Sequence, residues 1–166
     1  MKLIWTKSNL VLSIFIRWGL KTDCSHFAIV FESPAGGLMF ESNLLGTHPK
    51  FFKTAKEHMT VVHQIYLPLS VDVENTVWDI IVDKYDSKSY NFRAFLYFCW
   101  RGILKRVFGK PFPLKSKWST PGSDLCGQVY QALVDAGVCP DLGIDLSISS
   151  PHEIYIKYCE VMQIDQ

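Results

Sequence analysis

Residues 25–32, Ser-His-Phe-Ala-Ile-Val-Phe-Glu, constrain the fold more than any other stretch of this chain. The run is rich in aromatic and β-branched residues, which favour the pleated strand. It does not alternate polar with apolar, as a half-exposed edge strand would. Such continuous apolarity does not suit a half-exposed edge. Ser33-Pro34-Ala35-Gly36-Gly37 follows as a turn cluster, and residues 38–41 return as a second strand. The two form a hairpin with a slightly long loop.

The remaining elements follow from periodicity and capping. Residues 2–6 read as a short strand. Ser8-Asn9 offers an N-cap for an apolar segment running to Trp18, and Gly19 ends it. Leu10, Val11, Ile14, Phe15 and Trp18 fall at helical spacing, so this stripe is expected to face the core. Residues 61–67 form a third strand, closed by Pro68. Ser70 caps a helix with Asp72 and Glu74 near its positive end and Val77, Trp78, Ile81 and Tyr85 as its buried stripe. An aromatic-rich helix spans 91–108, and a loop with Pro111, Pro113, Pro121 and Gly122 follows. A third helix covers 124–136, with Gly137 at its C′ position. Ser150-Pro151-His152-Glu153 has the form of a capping box with proline at N1, opening a last helix. Strands come first and helices after. That order predicts an α+β fold, with helices packed on one face of a mainly antiparallel sheet.

At 166 residues the chain is read as one domain, 1–166, long enough to bury a real core. A net charge of +1 gives the whole chain no signature of a nucleic-acid partner. Five cysteines, an odd number without a Cys-x-x-Cys pair, exclude a complete intrachain disulfide framework and argue against a zinc ribbon or thioredoxin-type site. Reduced thiols in the cytoplasm are the simplest expectation, with no metal and no organic cofactor. The apolar run Leu10 to Ile16 is short and lacks a small-residue cleavage site, so it reads as core and not as a signal peptide. No stretch approaches the roughly 20 apolar residues of a membrane span; the nearest, 92–104, is broken by Arg93 and Arg101.

Three residues carry the candidate chemistry. Cys126 lies at the start of the third predicted helix, where the dipole and free N–H groups lower a thiol pKa and can hold an oxyanion. Gly127 beside it is expected to leave room for a substrate carbonyl. His26 opens the strongest strand, a rigid mount for a general base. Glu41 returns on the partner strand opposite about Ile29, on a face it can share with His26, Ala28 and Val30. A carboxylate there would orient the imidazole. Each residue also has an ordinary reading. A free cysteine is commonly a small buried hydrophobe, a lone histidine a satisfied structural group, a strand-end glutamate a solvated charge. Among the other histidines, His48, His58, His63 and His152, His63 is the strongest rival because it too sits on a strand.

Taken together, these segments resemble the circularly permuted papain-like hydrolases of the NlpC type, a group with YiiX-like bacterial members and related to lecithin retinol acyltransferase. Ser25-His26-Phe27-Ala28-Ile29-Val30 is similar to the histidine strand of that family, and Phe40-Glu41-Ser42 with Gly46 to its second strand. Tyr90-Asn91-Phe92 resembles the opening of its middle helix. Residues 126–137, with Val129-Tyr130 and Ala132-Leu133, resemble its nucleophile helix, and Ser150-Pro151 its C-terminal Ser-Pro step. Ile14 and Ile16-Arg17 echo the segment before the histidine strand. The family often carries Cys-Ser-Glu where this chain has Cys126-Gly127-Gln128. The resemblance implies a thiol hydrolase, a cysteine peptidase or amidase, working through an acyl-enzyme with Cys126, His26 and Glu41. Acyl transfer or thioester cleavage on lipids is the alternative within the same fold. Tyr90 and Trp118 are expected at the cleft wall, against a peptide, amide or acyl substrate.

From Lys88 to Lys117 every charged residue is basic, and aromatic residues including Phe108, Phe112 and Trp118 are interleaved. A non-catalytic binding module using 101–118 is therefore a second reading, its partner an anionic polymer or an acidic membrane surface. The plainer reading is a solvated helix face and loop.

Overall fold

The computed structural model of the chain describes residues 1–34, 36–43, 46–86, 89–90, 92–109, 123–124, 127–147 and 149–165. Residues 43, 89–90, 92–95, 97–98, 105, 123–124 and 128 are described by backbone alone. The elements run β1 (Lys2–Ser8), α1 (Val11–Leu20), β2 (His26–Phe31), β3 (Leu38–Asn43), β4 (Gly46–Phe51), α2 (Phe52–Ala55), β5 (Met59–Tyr66), α3 (Val71–Tyr85), β6 (Ser89–Tyr90), α4 (Phe92–Phe108), β7 (Ser123–Asp124), α5 (Gln128–Asp135) and α6 (Pro151–Met162).

Five strands form one antiparallel sheet in the order β4-β3-β2-β1-β5. The architecture is α+β, as the order of elements predicts. The apolar run of β2 lies inside the sheet, between β1 and β3, with Phe27 to Phe31 all buried. Alternation splits the strands between two cores. Leu3, Trp5, Phe27, Ile29 and Phe40 face α3, α5 and α6, where Ile81, Tyr130, Leu133, Ile154 and Tyr158 complete the main core. Ile4, Ala28, Val30 and Met39 face the other way and close a smaller core with Phe52 and Ala55 of α2. The helices are thus not confined to one face. The short β4–α2 segment, which has no apolar period of its own, supplies the second cover.

Local signals account for the helix ends. Ser70 Oγ accepts from Val73 N–H at the head of α3. The capping box of α6 is complete: Ser150 Oγ accepts from Glu153 N–H, and Glu153 Oε2 accepts from Ser150 N–H at 2.8 Å. Gly137, at φ 67°, terminates α5 in the left-handed conformation that costs a glycine nothing.

Helix α1 departs from expectation in its direction. Its apolar stripe is present at helical spacing, but Leu10 and Val11 are exposed and Ile14 and Trp18 half-exposed. Ser13, Gly19 and Leu20 are buried instead. The reason is close approach. Ser13 Oγ hydrogen-bonds Ser25 Oγ at 2.5 Å, and a Cβ on Gly19 would stand 3.2 Å from Gly102 Cα of α4. Only the small-residue face of α1 fits these contacts, so the bulky stripe turns outward. The cap differs as well: Leu10 occupies the N-cap without a side-chain bond, not Ser8-Asn9.

Candidate active site

Strand pairing brings His26 and Glu41 together. Glu41 stands directly opposite Ala28 in the β2–β3 ladder, one residue from the expected partner Ile29. That register places Glu41 on the His26–Ala28–Val30 face, because directly opposed residues share a side and residues two apart along a strand do too. His26 Nε2 is 2.7 Å from Glu41 Oε2. The Glu41 side chain is 3% exposed and that of His26 is 23% exposed, so the carboxylate is fixed and the imidazole remains accessible.

Glu41 has a second partner that the sequence did not announce. Lys50, on β4 and facing the same way, forms an ion pair with Glu41 Oε1. Burial by itself pushes the Glu41 carboxyl up. The charge and hydrogen bond of His26, then those of Lys50, outweigh burial and hold the carboxyl well below the ordinary carboxylate range. Glu41 is therefore ionised, and an ionised carboxylate only accepts hydrogen bonds. The hydrogen between the two residues belongs to His26 Nε2. In the neutral imidazole, the basic lone pair then resides on Nδ1.

Helix α5, which follows Cys126 in the chain, is placed by its packing. Tyr130 of α5 meets Phe27, the residue after His26, at 6.0 Å between ring centroids. Because Phe27 and His26 alternate, α5 covers the sheet face opposite His26. His26 is the first residue of β2, at the strand's end. Helix α5 starts at Gln128 with Gly127 at its N-cap, later than the expected residue 124, because Ser123 and Asp124 instead form β7. β7 pairs in parallel with β6, setting Tyr90 opposite Asp124, and both short strands lie against β4. Cys126 and Trp118 lie outside the described residues, and Tyr90 is described by its backbone alone. Gly127 does not serve the purpose expected of it. A Cβ there would stand 2.8 Å from Ile154 Cδ1 and 2.9 Å from the Leu146 carbonyl oxygen, so its missing side chain makes room for α6 and the preceding loop, not for a substrate.

His63, the rival base, belongs to a different cluster. It lies opposite Trp5 on the main-core face, stacks on Tyr155 at 3.9 Å, and meets Asp23 Oδ2 at 2.7 Å. His152 Nδ1 is 3.3 Å from the other oxygen of Asp23. Burial raises the Asp23 carboxyl, but His63 and then His152 bring it below its ordinary value. Ligand atoms of Asp23, Cys24 and His152 also lie within 4.8 Å of one another. Sequence reading missed this group because its members come from a loop, β5 and α6.

No protein-family model, curated protein or solved structure matches this chain. No helix among the described residues is long and apolar enough to cross a membrane.

Proposed function

We propose that the chain is a thiol hydrolase of circularly permuted papain-like type, cleaving an amide or ester through an acyl-enzyme on Cys126. The observation that carries this reading is the His26–Glu41 pair: a partly exposed imidazole held at 2.7 Å by a buried, ionised carboxylate on the neighbouring strand. A solvated strand-end charge, the ordinary reading of Glu41, is not buried in this way.

The chemistry follows from the tautomer. His26 Nδ1 takes the proton of the Cys126 thiol while Nε2–H stays bonded to Glu41. The thiolate adds to the substrate carbonyl carbon, and N–H groups of Cys126 and of the α5 start that follows it donate to the oxyanion. His26 then protonates the leaving amine or alkoxide as the C–N or C–O bond breaks. Water, or another acyl acceptor, gives up a proton to His26 and releases the acyl group from sulfur. A peptide or amide is the substrate class of first choice; an acyl acceptor in place of water turns the same steps into transfer.

Brief iodoacetamide treatment near neutral pH, read by mass spectrometry, tests the assignment. Cys126 is expected to label far ahead of the other thiols, and His26→Ala to slow it markedly while His63→Ala does not. Preferential labelling of Cys24, or a larger effect of His63→Ala, would move the chemistry to the Asp23 cluster and overturn the assignment.

A further inference from the structure

Helices α1 and α4 both turn apolar stripes to the outside. On α1, Leu10, Val11, Ile14 and Trp18 fall within about 100° of helical arc and are 70%, 83%, 48% and 48% exposed. On α4, Leu96, Trp100 and Val107 fall within about 40° and are 51%, 57% and 64% exposed. Phe108, 64% exposed, ends the helix. The two helices touch through Gly19 and Gly102, away from both stripes. Beside that contact the Arg106 guanidinium sits 5.4 Å from the Trp18 ring centroid, so the end of the α1 stripe adjoins the flank of α4 that carries Arg106. An apolar surface of this extent on a folded domain marks an interaction site.

Charge says what kind of partner fits it. Residues 8–22 and 92–109 contain no aspartate or glutamate, yet carry Arg17, Lys21, Arg93, Arg101, Lys105 and Arg106. The chain overall has 17 basic and 16 acidic residues, so the acids are concentrated elsewhere. Arg101 is taken up by Glu153 at 2.9 Å, but Lys21 and Arg106 are exposed and form no ion pair among the described residues. A second copy of the chain would need apolar complement and no such bias. A nucleic acid would use the cations and leave leucine, valine and isoleucine in water. Apolar and tryptophan side chains flanked by cations, without acids, match the boundary between lipid headgroups and acyl chains.

We propose that the α1–α4 face docks on an anionic lipid bilayer. Trp18, Trp100 and Val107 enter the headgroup–acyl boundary, while Lys21 and Arg106 meet lipid phosphates. The face is distinct from the His26–Glu41 pair, and the proposal stands whether or not Cys126 is a nucleophile.

Co-sedimentation of the full chain with phosphatidylcholine vesicles, with and without phosphatidylserine, tests it. Binding is expected only with phosphatidylserine, and it should fall steeply as salt rises. Lys21→Gln with Arg106→Gln should weaken it roughly ten-fold or more. Trp18→Ser with Val107→Ser should do the same through lost apolar contact. Circular dichroism should show both exposed-residue pairs folded, and the fluorescence of the wild-type tryptophans should shift to the blue on vesicles. Equal binding to pure phosphatidylcholine would overturn the charged half of the proposal. Binding to heparin that Trp18→Ser with Val107→Ser leaves unchanged, without vesicle binding, would assign the face to a polyanion. A self-associated protein that this apolar pair dissolves, again without vesicle binding, would assign it to a second copy.

Discussion

Glu41 serves two partners at once, His26 and Lys50, and that sets what its replacement does. Glu41→Gln keeps an oxygen that can accept from His26 Nε2–H, so alkylation of Cys126 should fall less than in Glu41→Ala; equal loss in the two would show that charge, not orientation, is the contribution. The same pairing fixes a pH dependence. The folded carboxyl titrates below its unfolded value of 4.5, so its stabilisation is complete above that pH and drains away as pH falls through the folded value. The stability gap between wild type and Glu41→Gln, measured by urea unfolding, should therefore be widest near neutrality and narrow steadily below about pH 4.5; a gap that widens on acidification would contradict it. At this scale His26 and Glu41 were legible in sequence, since strand alternation and one hairpin bring them together. Lys50 was not. It sits in Gly46–Phe51, where Pro49 and alternating polar residues disguise a strand.

Elements declare their existence in sequence more readily than their direction. The ends of α3, α5 and α6 followed from Ser70, Gly137 and the Ser150–Glu153 box, which are local chemistry. The outward turn of α1 did not, because it depends on tertiary contacts, with Ser25 and with Gly102 far along the chain. Glycine at such contacts is a matter of space. Gly102→Ala would place a Cβ 3.0 Å from the backbone of Gly19, with no flexible side chain to yield. It should destabilise the protein by about 1–3 kcal/mol, seen as a lowered Tm. Gly127→Ala should cost a similar amount, about 1–3 kcal/mol. Ile154→Val, which deletes the Cδ1 in the way, should restore part of that loss; no recovery in the double variant would mean the Leu146 carbonyl is the obstacle. Ser150→Ala should cost about 1 kcal/mol through the lost cap.

Across the molecule, cover is uneven. β1 and β2 are buried on both faces, whereas α1 buries little beyond Ser13, Gly19 and Leu20. Amide hydrogen exchange should therefore be slowest in β1 and β2 and faster in α1. Thiols follow the same gradient. Cys24, Cys139 and Cys159 are buried, and burial pushes the Cys139 thiol up to about 12, so these three should resist alkylation until the protein unfolds. The α+β class was legible because strands precede helices; the two-core arrangement was not, since only pairing reveals which residues of a continuous apolar strand face which way. That order of elements has a consequence for how the molecule is made. All five strands of the main sheet, with His26, Glu41 and Lys50, are encoded by residue 66, and Cys126 follows roughly 60 residues later. At about 5–20 residues per second, the ribosome delivers the imidazole and its carboxylate several seconds before the sulfur. On the proposed mechanism, a nascent chain that stops short of residue 126 thus holds base and orienting group without a nucleophile, and the site comes alive only once that residue is added.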